Sequence, residues 1–174
     1  MGAVPGARSR APALRSLLRV VNGTDASYES ACATAADAIL VDLDASAIPR
    51  ERSRARRALR HHSLKIATAN IPLVVRVGDT RSGEIDADLD ATASKSIFAV
   101  ILSATDEPQD ARDADVAIRR HEMRLGITPG TVRLICGIDS TAGLAALPRI
   151  LEAVDRHLAA MLAPLAIAME IGSP

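Results

Sequence analysis

Short aliphatic runs recur along the chain roughly every 25–35 residues, the period of a strand-plus-helix unit, and most give way to a polar or charged residue. LRSLLRVV runs into Asn22, DAILVDLD closes on Asp42 and Asp44, and PLVVRV carries Arg76 inside it. FAVILSA is followed by Thr105 and Asp106, VRLICGI by Asp139, and LAIAM by Glu170. Near-continuous aliphatic runs are the mark of strands buried on both faces, as in a parallel sheet. The pattern predicts strands over 13–21, 38–43, 73–77, 97–102, 132–138 and 165–169. Helices are predicted between them. One covers 26–36 behind an N-cap at Asp25, and a basic one covers 51–67 with Pro49 near its start. The others cover 84–94, 108–125 closed by Gly126, and 141–162 with a break at Pro148.

Strict strand–helix alternation gives a parallel sheet with right-handed crossovers. Two α/β architectures fit: an open doubly wound sheet, and a (β/α) barrel that stops about two units short. In either, ligands bind at the C-terminal ends of the strands, where this chain collects its acids, amides and Arg76. No GxGxxG or GxxxxGK[ST] follows any strand, which weakens a nucleotide-binding doubly wound sheet.

Composition narrows the function classes. The 174 residues are few for a closed barrel, which usually takes about 250. They read as a basic N-terminal arm over 1–12, without acids and without stable structure, followed by one domain over 13–174. A net charge of +0 and 1% aromatic residues, Tyr28 and Phe98, argue against a nucleic-acid partner. No apolar run reaches the ~18 residues of a membrane span, and the N-terminus has no signal-peptide h-region. The chain therefore reads as cytoplasmic, with no membrane partner. In that setting Cys32 and Cys136 read as buried thiols, and the Asn22-Gly23-Thr24 acceptor pattern carries no meaning.

Five segments, in order over nearly the whole chain, resemble the HpcH/HpaI aldolase/citrate lyase family. Arg15-Ser16-Leu17-Leu18 resembles the opening strand that usually reads RSLLFVPGN. Ala36 to Asp44 resembles GADAVILDLED, and Pro49-Arg50-Glu51 through Ala55-Arg56 resembles the PxxK/RxxAR segment that follows it. Pro72 to Val77 resembles PLVVRVN, and Leu134-Ile135 through Leu144 resembles LIPLIETAAGL. The resemblance selects the second architecture: a TIM-like (β/α) barrel, incomplete, with about six βα units.

What the resemblance implies is a Mg²⁺-dependent carbon–carbon lyase or aldolase. Its substrates would be acyl-CoA thioesters of the citryl-CoA or malyl-CoA type, or small hydroxy-keto acids. The arginine that ends strand three and holds the substrate carboxylate or keto acid falls on Arg76. Of the two metal-holding acids, the glutamate after strand five falls on Asp139. The aspartate after strand six falls on Ile171, in a segment resembling GAEDL, leaving Glu170 as the replacement ligand. Asp44 stands where the family has glutamate, Ala45 where it has aspartate, and Ser103-Ala104-Thr105-Asp106 where it has a lysine-bearing PKVE. The family's last two βα units have no counterpart here.

Retro-aldol cleavage needs a cation for the developing enolate, a base for the hydroxyl proton and an anchor for the carboxylate. Arg76 suits the anchor, or else forms an ion pair with Asp42 or Asp44. Asp42 and Asp44 share strand parity and point the same way, which makes Asp44 a candidate for the chemistry. Asp139 reads as a metal ligand or as a helix N-cap, and Glu170 as a ligand or a solvated residue. Arg50, Arg52, Arg54, Arg56, Arg57, Arg60 and Lys65 read as a solvated helix face, or as a contact for CoA phosphate or an acidic subunit. The missing closure leaves strand edges unpaired and so predicts a homo-oligomer. Loss of the second metal aspartate raises the other reading, an inactive relic that binds an acyl-CoA or a partner subunit.

Overall fold

The computed structural model describes residues 14–21, 24–46, 48–92 and 97–172. The basic arm over 1–12 and the Asn22-Gly23 pair lie outside the described residues. Six parallel strands form one sheet in the order β1-β2-β3-β4-β5-β6. They are β1 (Leu17–Val21), β2 (Ala38–Asp42), β3 (Leu73–Val77), β4 (Ile97–Leu102), β5 (Arg133–Ile138) and β6 (His157–Leu162). Helices α1 (Asp25–Cys32), α2 (Pro49–Thr68), α3 (Ile85–Asp90), α4 (Pro108–Leu125), α5 (Thr141–Leu151) and α6 (Pro164–Glu170) follow the strands in turn. Each strand pairs with its predecessor and the order never reverses. A doubly wound sheet must reverse at its switch point, so this is barrel winding. Among the described residues β1 and β6 do not pair, and the barrel is open between them.

The two faces of the sheet carry different cores. Toward the helices, Ile39, Val41, Val75, Val100, Leu134 and Cys136 pack against helix residues such as Leu59, Ile66, Ala114 and Ile118. Alanine at the helix positions lets helix and sheet approach closely, in keeping with a core that has almost no aromatics. The buried residues of α2 (Ala55, Leu59, His62, Ser63, Ile66) fall at helical spacing. On the concave face, Ala38, Leu40, Val74, Ala99, Ile101 and Ile135 form a second cluster. It borders an open apolar hollow of about 330 Å³ between the β1 and β6 sides. The alternating parity of β2 and β3 puts Asp42 and Arg76 on this concave face, directly above Leu40 and Val74.

The C-terminal third departs from the sequence reading. Strand six is His157–Leu162, not 165–169, and the predicted 141–162 helix ends at Leu151. LAIAM lies in α6, opened by Pro164 at its first turn. An apolar run of that length fits strand or helix equally, and a proline at the first helical position decides for helix. Pro148 lies inside α5, close enough to its end that the helix survives.

Candidate active site at the strand ends

The register aligns Val21, Asp42 and Arg76 across β1, β2 and β3. The Asp42 side chain is fully buried and gathers the site around it. Its Oδ2 accepts from Arg19 Nε at 2.8 Å and lies 2.6 Å from Arg19 Nη2. The same oxygen accepts from Arg76 Nη1 at 3.4 Å, and Oδ1 accepts from the Asp44 backbone N–H at 3.0 Å. Arg76 also donates from Nε to Ser103 Oγ, just past β4, at 2.9 Å. Its Nη2 faces Asp44 Oδ2 at 4.0 Å, beyond hydrogen-bond reach. The ion-pair reading of Arg76 is thus met: two nitrogens are tied down, and a third remains at the strand mouth.

Asp44 is held from the other side by Arg52 Nη1 at 3.2 Å. Arg52 and Arg56 turn inward from α2 onto Asp88, a carboxylate with no exposed surface that also accepts from the Gly78 N–H at 3.1 Å. Arg52 lies so close over Gly78 that a β-carbon there would collide with the guanidinium. The basic helix is therefore divided: Arg52 and Arg56 are ion-paired supports for the site, while Arg50, Arg54, Arg57 and Arg60 are exposed.

Beyond β4 the chain turns sharply. Ala104 takes a left-handed φ of 47°, a conformation that costs a non-glycine residue about 1 kcal/mol or more. The turn lets Thr105 N–H reach the Gly137 carbonyl at 2.9 Å. Gly137 fits because a β-carbon there would lie 2.7 Å from the Leu102 carbonyl oxygen. Ser140 donates to Asp106 and caps α5 by accepting from Gly143 N–H at 2.9 Å. The N-cap is Ser140, so the alternative role for Asp139 falls away. Asp139 is half-buried and makes no ion pair or side-chain hydrogen bond among the described residues.

Glu170 is engaged elsewhere. It accepts from Thr141 N–H at 2.6 Å and Thr141 Oγ1 at 3.0 Å, tying the end of α6 to the start of α5. With β6 ending at Leu162, the residues just past strand six are Ala163 and Pro164, while Glu170 and exposed Ile171 come a helix later. Arg76, Asp42, Asp44 and Ser103 are brought together; Glu170 is not part of that cluster. Sequence reasoning missed Arg19 and Ser103. Arg19 carried the signal that singled out Arg76, an arginine within an aliphatic strand. Cys136 faces the helices, and burial pushes its thiol up to about 11, so it is an inert core thiol.

The match to known proteins follows this geometry. The model of the HpcH/HpaI aldolase/citrate lyase family matches residues 15–174. The chain belongs to that family. Citrate lyase subunit beta of Escherichia coli K12 is 32% identical over 142 residues, 82% of this chain and 47% of the relative. The corresponding subunit of Haemophilus influenzae is 27% identical, with coverage of 82% and 49%. The chain thus spans about half the length of these relatives. Among solved structures, protein CitE of Mycobacterium tuberculosis in complex with magnesium and acetoacetate superposes with a TM-score of 0.67 at 18% identity, covering 95% of this chain and 61% of that one. RipC of Yersinia pestis gives 0.64 at 22% identity, covering 94% and 64%. At such identities the structures establish the shared TIM-like fold.

The magnesium seen with that neighbour can be tested against the side chains present here. Mg²⁺ takes oxygen ligands in near-octahedral geometry, typically one or two carboxylates with waters and substrate oxygens. Among the described residues no group of three or more His, Cys, Asp or Glu side chains is placed to hold a metal. Asp42 is saturated by two arginines, Asp44 is paired with Arg52, and Glu170 is bound to Thr141. Among these candidates in the described residues Asp139 alone stays open, and no acid stands directly past β6. The donor set does not fit a resident magnesium ion.

Proposed function

We propose that the strand-end cluster binds a small carboxylate ligand, a keto acid or the acid arm of a hydroxyacyl-CoA thioester, with Arg76 as its anchor. The observation that carries this reading is the state of the Arg76 guanidinium. Asp42 and Ser103 fix Nη1 and Nε, so the group is oriented in advance, and Nη2 is left without a hydrogen bond among the described residues. A pre-oriented guanidinium loses little freedom on binding, and carboxylates match its geometry. The relatives are named citrate lyase subunits, and CitE was solved with acetoacetate and with pyruvate. Both support a ligand of this class. The test is calorimetric titration of the purified chain with pyruvate and acetoacetate. Saturable binding that weakens roughly 100-fold in Arg76→Ala supports the reading; binding of undiminished affinity in that variant rejects it.

The family reaction, carbon–carbon cleavage of a citryl- or malyl-type thioester, is the second reading. What favours it is Asp44, whose Oδ2 stands beside Arg76 Nη2 where an anchored substrate would present its hydroxyl. Arg76 would hold the carboxylate and Asp44 would take the hydroxyl proton. The enolate, however, has no metal provided by these side chains. Cleavage is therefore expected near background with or without Mg²⁺, and Asp44→Asn is expected to leave binding in place. Mg²⁺-dependent turnover lost in Asp139→Ala would restore this reading to first place. Self-association through the open β1 and β6 edges belongs to the same proposal, since unpaired edges invite pairing.

A further inference from the structure

We infer that Arg19 is a specificity-determining residue that makes this site prefer small dicarboxylates to monocarboxylates. The inference rests on the carboxylate-binding reading above and names the ligand class more closely.

Asp42 is one buried carboxylate, and two guanidiniums close on the same oxygen. A single arginine would neutralise it. In the family pattern that the opening strand resembles, RSLLFVPGN, phenylalanine stands at the position of Arg19. Arg19 thus adds a second guanidinium to one carboxylate. The nearby Asp44 lies between Arg52, which it shares with Asp88, and Arg76. Arg19 and Arg76 share the one buried carboxylate of Asp42, so the side of the mouth they line presents guanidinium donors, which attract an anion.

Geometry supports the same conclusion. Arg19 rises from β1 beside Leu40 and reaches up to Asp42. Its side chain is 52% exposed, against 24% for Arg76. Nε and Nη2 are spent on Asp42, and Nη1 has no hydrogen-bond partner among the described residues. Because Arg19 Nη2 and Arg76 Nη1 contact the same oxygen at 2.6 and 3.4 Å, the two guanidiniums lie within about 6 Å. A ligand anchored by one acid group on Arg76 would have its second within reach of Arg19. The apolar floor of Leu40, Val74 and Ile101 below offers the ligand's carbon chain a dry surface.

The experiment compares pyruvate with succinate and malate by calorimetry on wild type, Arg19→Leu, Arg19→Lys and Arg76→Ala, with melting curves for each. Wild type is expected to bind the dicarboxylates at least about tenfold more tightly, one added charge-assisted contact. Arg19→Leu should erase that ratio, weakening the dicarboxylates far more than pyruvate, and Arg19→Lys should keep part of it. A merely structural role for Arg19 would weaken all ligands together and leave the ratio intact, which overturns the inference. A wild type without preference overturns it too, while pyruvate binding that depends on Arg76 leaves the anchor standing. Absence of any carboxylate binding removes the anchor and the inference together. If Arg19→Leu fails to fold, the ratio in Arg19→Lys and Arg19→Gln decides: an undiminished ratio in both rejects the assignment.

Discussion

Two buried ion clusters in this molecule use the same chemistry to different ends. At the N-terminal side of β5, Arg156 and Glu122 face each other through two contacts of 3.2 Å. Arg156 also donates to the Val132 carbonyl at 2.7 Å and to Asp115, and Glu122 accepts from the Gly130 and Val132 N–H groups at 3.0 and 2.7 Å. Arg156 is 3% exposed and Glu122 not at all. Arg156 and Glu122 are buried with each of their charged atoms engaged and only Asp115 reaches solvent, so the cluster clamps α4 to β5 and the start of β6. At the opposite end, Asp42 is equally buried, but its two arginines are part-exposed and keep unused donors. A saturated network stabilises; an over-supplied one is prepared for a further partner.

The difference can be broken or sharpened by substitution. Glu122→Ala strips the lower cluster of its central acid and leaves Arg156 buried with only Asp115 beside it. The expected loss is about 3–5 kcal/mol of folding stability, read from urea unfolding. Arg76→Ala should show the reverse profile. Arg19 still covers Asp42, so stability should fall by no more than about 1 kcal/mol, while keto-acid affinity should fall roughly 100-fold, about 2.7 kcal/mol. Glu170→Ala removes the α6–α5 tie and should cost about 1 kcal/mol, the usual value of a capping contact, with no change in ligand affinity. A change in Mg²⁺ binding there would return Glu170 to the role of a ligand.

The smallest effect is in pH. Burial alone would raise the Glu122 carboxyl, but donors from Arg156, Val132 and Gly130 prevail and hold it below the ordinary glutamate value. A group depressed on folding stabilises at pH above its unfolded value and loses that contribution as pH falls through its folded value. Stability should therefore decline as pH drops below about 4.3, and Glu122→Gln should flatten that acid limb. An unchanged limb would mean that Glu122 does not carry the coupling.

Much of the fold is legible in the amino-acid sequence. Strands β2 to β5 are nearly continuous aliphatic runs, and such runs have few other places to go in an alternating chain. Arg76, Asp44 and Asp139 stand out because they interrupt or end those runs. Strand β6 is hidden because HLAAML has alanine and histidine where strands prefer β-branched residues, and because it is an edge strand, half-buried along its length. Misplacing it moves the expected metal ligand from the end of β6 to Ile171. The Arg19–Asp42 pair is hidden for another reason. It joins residues on neighbouring strands, and only the register shows that a side chain starting beside Leu40 ends on Asp42. The division of the basic helix is hidden likewise, since Arg52 and Arg56 differ from their neighbours only in facing Asp88.

The most direct measurement is calorimetric titration of the wild-type chain with pyruvate, first in EDTA and then in excess Mg²⁺. With Arg76 as anchor and no resident metal, saturable binding of the same affinity is expected in both. Binding that appears only with Mg²⁺ would contradict this, and would place the ligand on a metal rather than on the arginine.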